Sequence, residues 1–487
     1  MLMQFTNSSK KMTFDSLQSY NDLPIFPSRA ETETMPILKK AIGTIKNGLF
    51  ACCALIGCSL SADPLVSIYA VDCHTGKVLI DQNSDVSMTP ASCLKVLTTG
   101  AALELLGKDH RFETRLEYEG TIDNHILHGN IAIRGGGDPC LGSDRIAGVL
   151  SWKEQLSAWA DAVVAAGITT VEGKVIGDAS RWELALAVPS WTWEDVGNYY
   201  GAGACALSFH ENFYTLFFEP GIQVGDPAPI TRTDPPVATL VLQNEVKTGP
   251  QGSGDQACIY GSEFSLLQCI RGTIPAAVKE FSIKGSIPDP TAYTAELLQQ
   301  ELEDRGVVIL NKEIAAQQRS LLIETRSPTV EEIAHWTNQK SINLYAEHLL
   351  KGMGEVYCKE GSTASGIKAL TDFWDSQGID LKGAHLVDGS GLSRQNLLTT
   401  KQLVRVLTKM KKSPSFPSFL DSLPPREGGI RAKSGSMKLV RGYAGYAGEI
   451  AFALLINQCP DSKWMQEKVQ SLFSKLITLS EQPQAID

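Results

Sequence analysis

The 487-residue sequence predicts an α/β (α+β) fold: an antiparallel sheet flanked by helices, interrupted by a large β-rich insertion. Three observations carry this. An alternating apolar segment, "PLVSIYAVD", is followed by a turn, a second short strand and then a long helix almost free of charge. From about residue 111 to about residue 288 the texture changes to short alternating segments broken by Gly/Pro clusters such as "TRTDPP" and "TGPQGSGD". The last third returns to long helical patterns and closes on consecutive strands and a helix able to cover them. This length exceeds what one growing core usually holds, so two or more domains are expected.

At the front, "MPILKKAIGTIKNGLFACCALIGCSLSADP" places Lys39, Lys40 and Lys46 ahead of an apolar run from Leu49 to Gly57. The run is too short to span a bilayer, and its order of basic flank, apolar stretch and small residues is that of an export signal. "LIGC" resembles a bacterial lipoprotein cleavage box, with Cys58 the lipidated residue; a buried apolar segment that contains cysteine is the alternative. Residues 1–34 are polar and badly placed for a signal, which makes Met35 a candidate start. Residues 1–62 are therefore read as an N-terminal extension with an export or lipoprotein signal.

The strand in "PLVSIYAVD" and that in "GKVLIDQN", joined by a "CHTG" turn, form a hairpin. Thr89 is expected to cap the next helix, with Pro90 in its first turn and Gly107 ending "ASCLKVLTTGAALELLG". Residues 63–110 thus form a first core segment. The span 111–288, with a helix in "WKEQLSAWADAVVAAG", reads as one inserted β-rich domain or a pair. Asp289 and Pro290 open a well-signalled helix and the second core segment, 289–487. That segment ends in "GIRAKSGSMKLVRGYAGYAGEIAFALLINQ", read as two or three strands with the turn region at Gly442 to Gly448.

The formal charge of -10 is spread over mixed segments without a basic tract, which argues against nucleic acid as a partner. Eleven cysteines show no CxxC and no metal-ligand spacing, and no metal or cofactor is expected. Cys258 and Cys269 are near enough in sequence to bridge or to remain two thiols.

Three short stretches carry candidate chemistry. In "MTPASCLK", Ser92 and Lys95 share one helix face. A lysine packed among Leu94, Val96, Leu97 and Ala101 is biased towards the neutral amine that can take a proton from a serine. In "QKSINLYAEHLL", Ser341 and Asn343 stand two apart at a helix entry, where both can face one cleft. In "AKSGSMKLV", a strand offers Lys433, Ser434, Gly435 and Ser436: a cation, two hydroxyls, and a glycine where backbone must come close. Each pattern alone is unspecific; Ser8 with Lys11 and Ser19 with Asn21 repeat the first two. "KTGP" at Lys247–Pro250 rivals the third, but Pro250 has no N–H to offer an oxyanion.

In this order the three resemble the SxxK, SxN and K[ST]G signatures of penicillin-binding proteins and serine β-lactamases. Together with "GNIAIRGGGDPCL", "NYYGAGACALSFHEN" and "VDGSGLSRQN", they resemble the low-molecular-mass class C penicillin-binding proteins, the D-alanyl-D-alanine carboxypeptidase/endopeptidase family, from about residue 65 to 460. The resemblance implies a serine DD-peptidase/β-lactamase-like catalytic domain split by the insertion. It makes Ser92 the acyl-forming nucleophile, Lys95 its general base, Ser341 a proton relay and Lys433 the cation that tunes it. Asn343 would hold a substrate carbonyl, Ser434 and Ser436 the terminal carboxylate, with Gly435 between them, and the N–H groups of Ser92 and Ser436 would form the oxyanion hole. Implied partners are peptidoglycan stem peptides and β-lactams as covalent inhibitors; membrane attachment through an N-terminal lipid is instead the expectation from the cleavage box at Cys58. The implied location is the bacterial periplasm or cell envelope.

Ile342 stands where the family commonly has aspartate, and Ser434 and Ser436 where threonine is common. "RGGGDP" at Arg134–Pro139 reads as a tight turn, and "DGSG" at Asp388–Gly391 as a local turn or a cleft border. Trp191 and Trp193 are assigned to packing rather than to sugar stacking, and "HENF" from His210 lacks the second histidine of a metalloprotease helix. A serine β-lactamase, a related amidase or esterase, and an inactive peptidoglycan-binding scaffold are the competing readings.

Overall fold

The structure is a computed structural model, and it describes residues 63–481. The leader, Cys58 and the Met35 start lie outside the described residues. Strands β1 (Leu65–Asp72) and β2 (Val78–Gln82) form the expected hairpin. Its turn is held by Asp72 Oδ1, which accepts from the N–H groups of His74 and Thr75 at 3.0 and 2.7 Å, and Gly76 takes a left-handed φ of 73°. Strands β3 (Arg431–Met437), β4 (Val440–Ala447) and β5 (Ile450–Asn457) complete an antiparallel five-stranded sheet in the order β3-β4-β5-β1-β2. The two ends of the described chain thus meet, with Leu65 opposite Asn457 and Asp72 opposite Ile450.

Alternation along β1 and β5 separates two faces. Tyr69, Val71, Ala451, Ala453 and Leu455 join the main core with helix α1 (Lys95–Ala102). Val66, Ile68, Ala70, Phe452 and Leu454 instead pack against Leu472, Phe473 and Leu476 of the closing helix. A strand buried on both faces must be apolar at nearly every position, as β5 is.

Two local expectations are corrected. Thr89 does not cap: the first turn, Ala91–Leu94, is a 3-10 helix whose N-cap position is Pro90, without a side-chain cap. Thr89 N–H donates instead to Asn457 Oδ1 at 2.8 Å, and Ala91 takes a left-handed φ of 47° that turns the chain into the helix. Gly442 and Gly445 lie inside β4 rather than in a turn. They are there for clearance, since a Cβ at Gly445 would stand 2.1 Å from Arg431 O and one at Gly442 2.8 Å from Leu455 Cδ2.

The middle of the chain builds small sheets and its own core. Glu113–Glu119 pairs with Ile131–Arg134 and with Arg319–Arg326, and Phe213–Phe218 is flanked by Ile230–Asp234 and Phe281–Ser286. No strand between residues 111 and 288 enters the five-stranded sheet among the described residues. The packing differs from the expected boundary at residue 289. Helix Pro290–Asp304 begins as its signals require, with Asp289 Oδ1 accepting from Ala292 N–H at 2.9 Å, but Leu297, Leu298 and Leu302 bury in the middle core. Val308–Ile309 and Arg319–Arg326 also pair with strands of that region, and the chain rejoins the main core at Val330. Periodicity marks where a helix starts, not which core its apolar stripe will join. Cys258 and Cys269 are both free thiols; strand register sets Cys258 opposite Arg271 and Cys269 opposite Tyr260.

Candidate active site

The site forms where α1, the edge strand β3 and the junction of helices α2 (Val330–Gln339) and α3 (Asn343–Cys358) converge. Ser92 sits in the 3-10 turn, one turn before Lys95. Gly435 of β3 lets the strand lie on that turn, since a Cβ there would come 2.6 Å from Pro90 O and 3.1 Å from Cys93 N. Between α2 and α3, Ser341 adopts a left-handed φ of 58°, a conformation costly for a side-chain-bearing residue and found where surroundings impose it.

Lys95 is completely buried, 0 % exposed. Its Nζ lies 3.1 Å from Ser92 Oγ, 2.6 Å from Asn343 Oδ1 and 2.6 Å from the Ser390 carbonyl oxygen. Burial pushes its pKa well below the ordinary lysine value, the nearby Lys433 adds to this, and Asp388 and Glu347 oppose it. A neutral amine here spends its two N–H groups on the two carbonyl oxygens and is left with its lone pair facing the serine hydroxyl. As an ammonium it would donate to all three.

Lys433 Nζ donates to Ser341 Oγ at 3.0 Å and to Ser434 O at 2.7 Å. Burial pushes its pKa down to about 8. Cys93 opposes that shift only as a thiolate, and burial pushes this thiol up to about 12, so burial decides. Arg426 lowers the Lys433 pKa further and donates through Nη2 to Ser434 Oγ at 3.3 Å. Ser434 and Ser436 share one face of β3, while Lys433 and Gly435 share the other. Asn343 Nδ2 donates to Tyr200 O at 2.7 Å, which ties this wall to the inserted region.

All eight site residues expected from the sequence therefore lie on these converging elements, with direct side-chain bonds joining Ser92 to Lys95, Lys95 to Asn343 and Ser341 to Lys433. Lys247 does not join them; it is exposed on a strand that ends at Gly249, pairs with Thr273–Pro275 and bridges to Pro227 in the inserted region. The three glycines of "RGGGDP" allow close backbone approach, as a Cβ at Gly136 would lie 1.8 Å from Glu113 O. Trp191 is buried and donates to Asp388 Oδ2 at 2.9 Å, whereas Trp193 is 61 % exposed against Tyr260. Trp193 thus departs from the expected packing role because its ring rests on one aromatic neighbour at the surface. Glu211 of "HENF" accepts from Ser143, Arg145 and Tyr345, a structural network.

Sequence reasoning missed Ser390 as the carbonyl beside Lys95, and Glu347 and Arg426 altogether. Glu347 had a usable signal, a carboxylate inside the apolar run "NLYAEHLL". A backbone carbonyl such as that of Ser390 leaves none.

The chain is 27% identical over 427 residues to a D-alanyl-D-alanine carboxypeptidase of Actinomadura sp., covering 80% of this chain and 77% of that one. It is 25% identical over 419 residues to the D-alanyl-D-alanine carboxypeptidase DacB of Haemophilus influenzae, covering 80% and 85%. The crystal structure of penicillin binding protein 4 from Haemophilus influenzae shares the fold with a TM-score of 0.72 at 23% identity, over 86% of this chain and 97% of that one. With residues 60–476 matching the family model, the chain belongs to the D-Ala-D-Ala carboxypeptidase 3 (S13) family.

Proposed function

We propose that this protein is a serine-type D-alanyl-D-alanine carboxypeptidase that acts on peptidoglycan stem peptides through an acyl-enzyme at Ser92. The observation that carries the reading is the buried Lys95 amine, held by two carbonyl oxygens within 3.1 Å of Ser92 Oγ. The Ser92 proton passes to the Nζ lone pair as Oγ adds to the penultimate D-alanine carbonyl. The resulting oxyanion is stabilised by the N–H groups of Ser92 and Ser436. Collapse breaks the C–N bond, and the leaving amine takes its proton through Ser341, itself bonded to Lys433 at 3.0 Å. Water then attacks the ester, gives one proton back to Ser92 Oγ through the base, and releases the shortened peptide.

The terminal carboxylate falls to Ser434 and Ser436, backed by Lys433 and by Arg426, which lies 3.3 Å from Ser434 Oγ. Asn343 holds a donor-strand carbonyl with its amide. A β-lactam presents a strained amide in the same position and acylates the same oxygen. The protein works in the periplasm or cell envelope. Incubation of the mature protein with a stem pentapeptide and with a cross-linked dimer, followed by mass identification of products, tests the reading. Release of D-alanine from the pentapeptide is expected; an untouched pentapeptide overturns it, and cleavage of the dimer adds endopeptidase work to the same site.

A further inference from the structure

Glu347 lies one turn into α3 and is 2 % exposed, on the stripe between Asn343 and the buried Lys351 and flanked by the core side chains of Leu344 and Leu350. Its carboxylate accepts from Gly389 N–H at 3.1 and 3.0 Å and from Ser390 N–H at 2.8 Å. Ser390 is the residue whose carbonyl oxygen stands 2.6 Å from Lys95 Nζ. Thr98, one turn beyond Lys95 on α1, donates to Gly389 O at 2.6 Å and clamps the same loop from the other side. The loop also holds itself: Asp388 accepts from Gly391 N–H at 2.8 Å, Ser393 N–H at 2.7 Å and Asn396 Nδ2 at 2.8 Å, and from Trp191 of the inserted region. The peptide that aims the Lys95 amine is therefore suspended between two buried carboxylates.

Holding two N–H groups does not require a charge. A neutral amide oxygen would accept them at far smaller desolvation cost, because an isolated carboxylate is among the most expensive groups to bury. The charge has a use only if a cation appears nearby, and Lys95 becomes that cation each time it takes the Ser92 proton. Resting on the reading of Lys95 as the base, we infer that Glu347 is a positioning residue for acyl transfer: it fixes the Ser390 carbonyl that orients the Lys95 lone pair, and its negative charge stabilises the ammonium formed as Ser92 is acylated.

The electrostatics agree in direction. Glu347 is among the charges that raise the Lys95 pKa against burial, together with Asp388, while Lys433 lowers it. Burial pushes the pKa of Glu347 itself up to about 7, with Asp388 adding to this, and its bonds from Ser390 and Gly389 and the charge of Lys95 opposing it. Asp388 from the loop and Lys95 from α1 are the ionisable groups that act on it.

The test is Glu347→Gln, which keeps shape and one accepting oxygen and removes the charge. Benzylpenicillin acylation of the full-length folded protein is followed by mass and stopped-flow across pH, and resolved into the pre-covalent binding constant and the acylation rate constant. The expected result is an unchanged binding constant, an acylation rate constant reduced at least about tenfold at about pH 8, where a carboxyl with a pKa of about 7 carries its charge, and an acid limb moved to lower pH as Lys95 loses a charge that raises its pKa. Glu347→Asp keeps the charge and shortens the reach; it serves if the glutamine variant does not fold, with a loss of about tenfold expected there from misplacement alone. A folded variant with unchanged rate constant and pH profile overturns the inference, as does a binding loss alone. Failure of the wild-type protein to label at Ser92 overturns the acyl-enzyme reading itself, a result distinct from normal wild-type labelling with an indifferent variant.

Discussion

Gly435 lies so close to the turn that carries Ser92 that a Cβ on it would stand 2.6 Å from Pro90 O. The turn bearing the proposed nucleophile and the strand proposed to bind the substrate carboxylate are thus in backbone contact, at a spacing that leaves no room for one methyl group. Gly435→Ala must push β3 and the turn apart. Since a misplacement of about 1 Å can cost about a hundredfold in rate, acylation by benzylpenicillin should fall by one to two orders of magnitude, roughly. Stopped-flow acylation of the purified variant, checked for a normal circular dichroism spectrum, measures this.

Ser92→Ala should abolish the covalent β-lactam adduct, and mass mapping of the labelled peptide locates the wild-type site. Lys95→Met should slow acylation severely and leave the protein folded but less stable, because the apolar chain fills the space while Asn343 Oδ1 and Ser390 O lose the donor they share. Thermal melting and acylation kinetics on the same preparation separate the two effects. Label on any other residue, or an undiminished rate in folded Lys95→Met protein, would contradict the mechanism.

Lys247→Ala should leave acylation within about twofold of wild type, as an exposed lysine away from the site contributes little. Lys433→Ala should impair it strongly, through loss of the bond to Ser341. The pair of rate constants tests whether the third motif was placed on the correct strand.

That placement shows what was legible in the sequence. Lys247–Gly249 and Lys433–Gly435 offer nearly the same side chains, and the discriminating residue was Pro250, whose missing N–H is a property of the chain itself. Short runs rich in apolar and β-branched residues likewise exposed the hairpin and closing strands of the five-stranded sheet, since a core on both faces, as at β1 and β5, demands apolar residues nearly throughout. Other features depend on tertiary contact. Gly442 looked like a turn because local sequence cannot show that Cys93 Sγ will stand 3.0 Å from its missing Cβ. Helix Pro290–Asp304 was found, but its core was not, because an amphipathic stripe records only that something apolar lies opposite. The Ser390 carbonyl was invisible for a deeper reason: every residue has one, and only the fold selects which carbonyl faces a buried amine.

The pH dependence of the site should report Lys433. Burial holds its pKa near about 8, below the roughly 10.4 of an unfolded chain. Below pH 8 the group is protonated in both states, so the full cost of burying the cation is present. Between pH 8 and about 10.4 the unfolded chain keeps a proton that the folded protein has released, and this contribution to stability therefore rises with pH. Activity should run the other way. The loss of that proton removes positive potential from the carboxylate end of the site, so kcat/KM for a D-Ala-D-Ala peptide should decline above pH 8, while Lys95, with its pKa pushed down, stays neutral and competent. Amidation of the substrate's terminal carboxylate should lower kcat/KM at pH 7 and flatten the decline, because the lost interaction is then absent from the start. A Lys433→Met variant should lose the stability rise between pH 8 and 10 in thermal melts. A carboxylate substrate whose kcat/KM stays level from pH 7 to 10, in protein shown by melting to be folded, would remove Lys433 from carboxylate recognition.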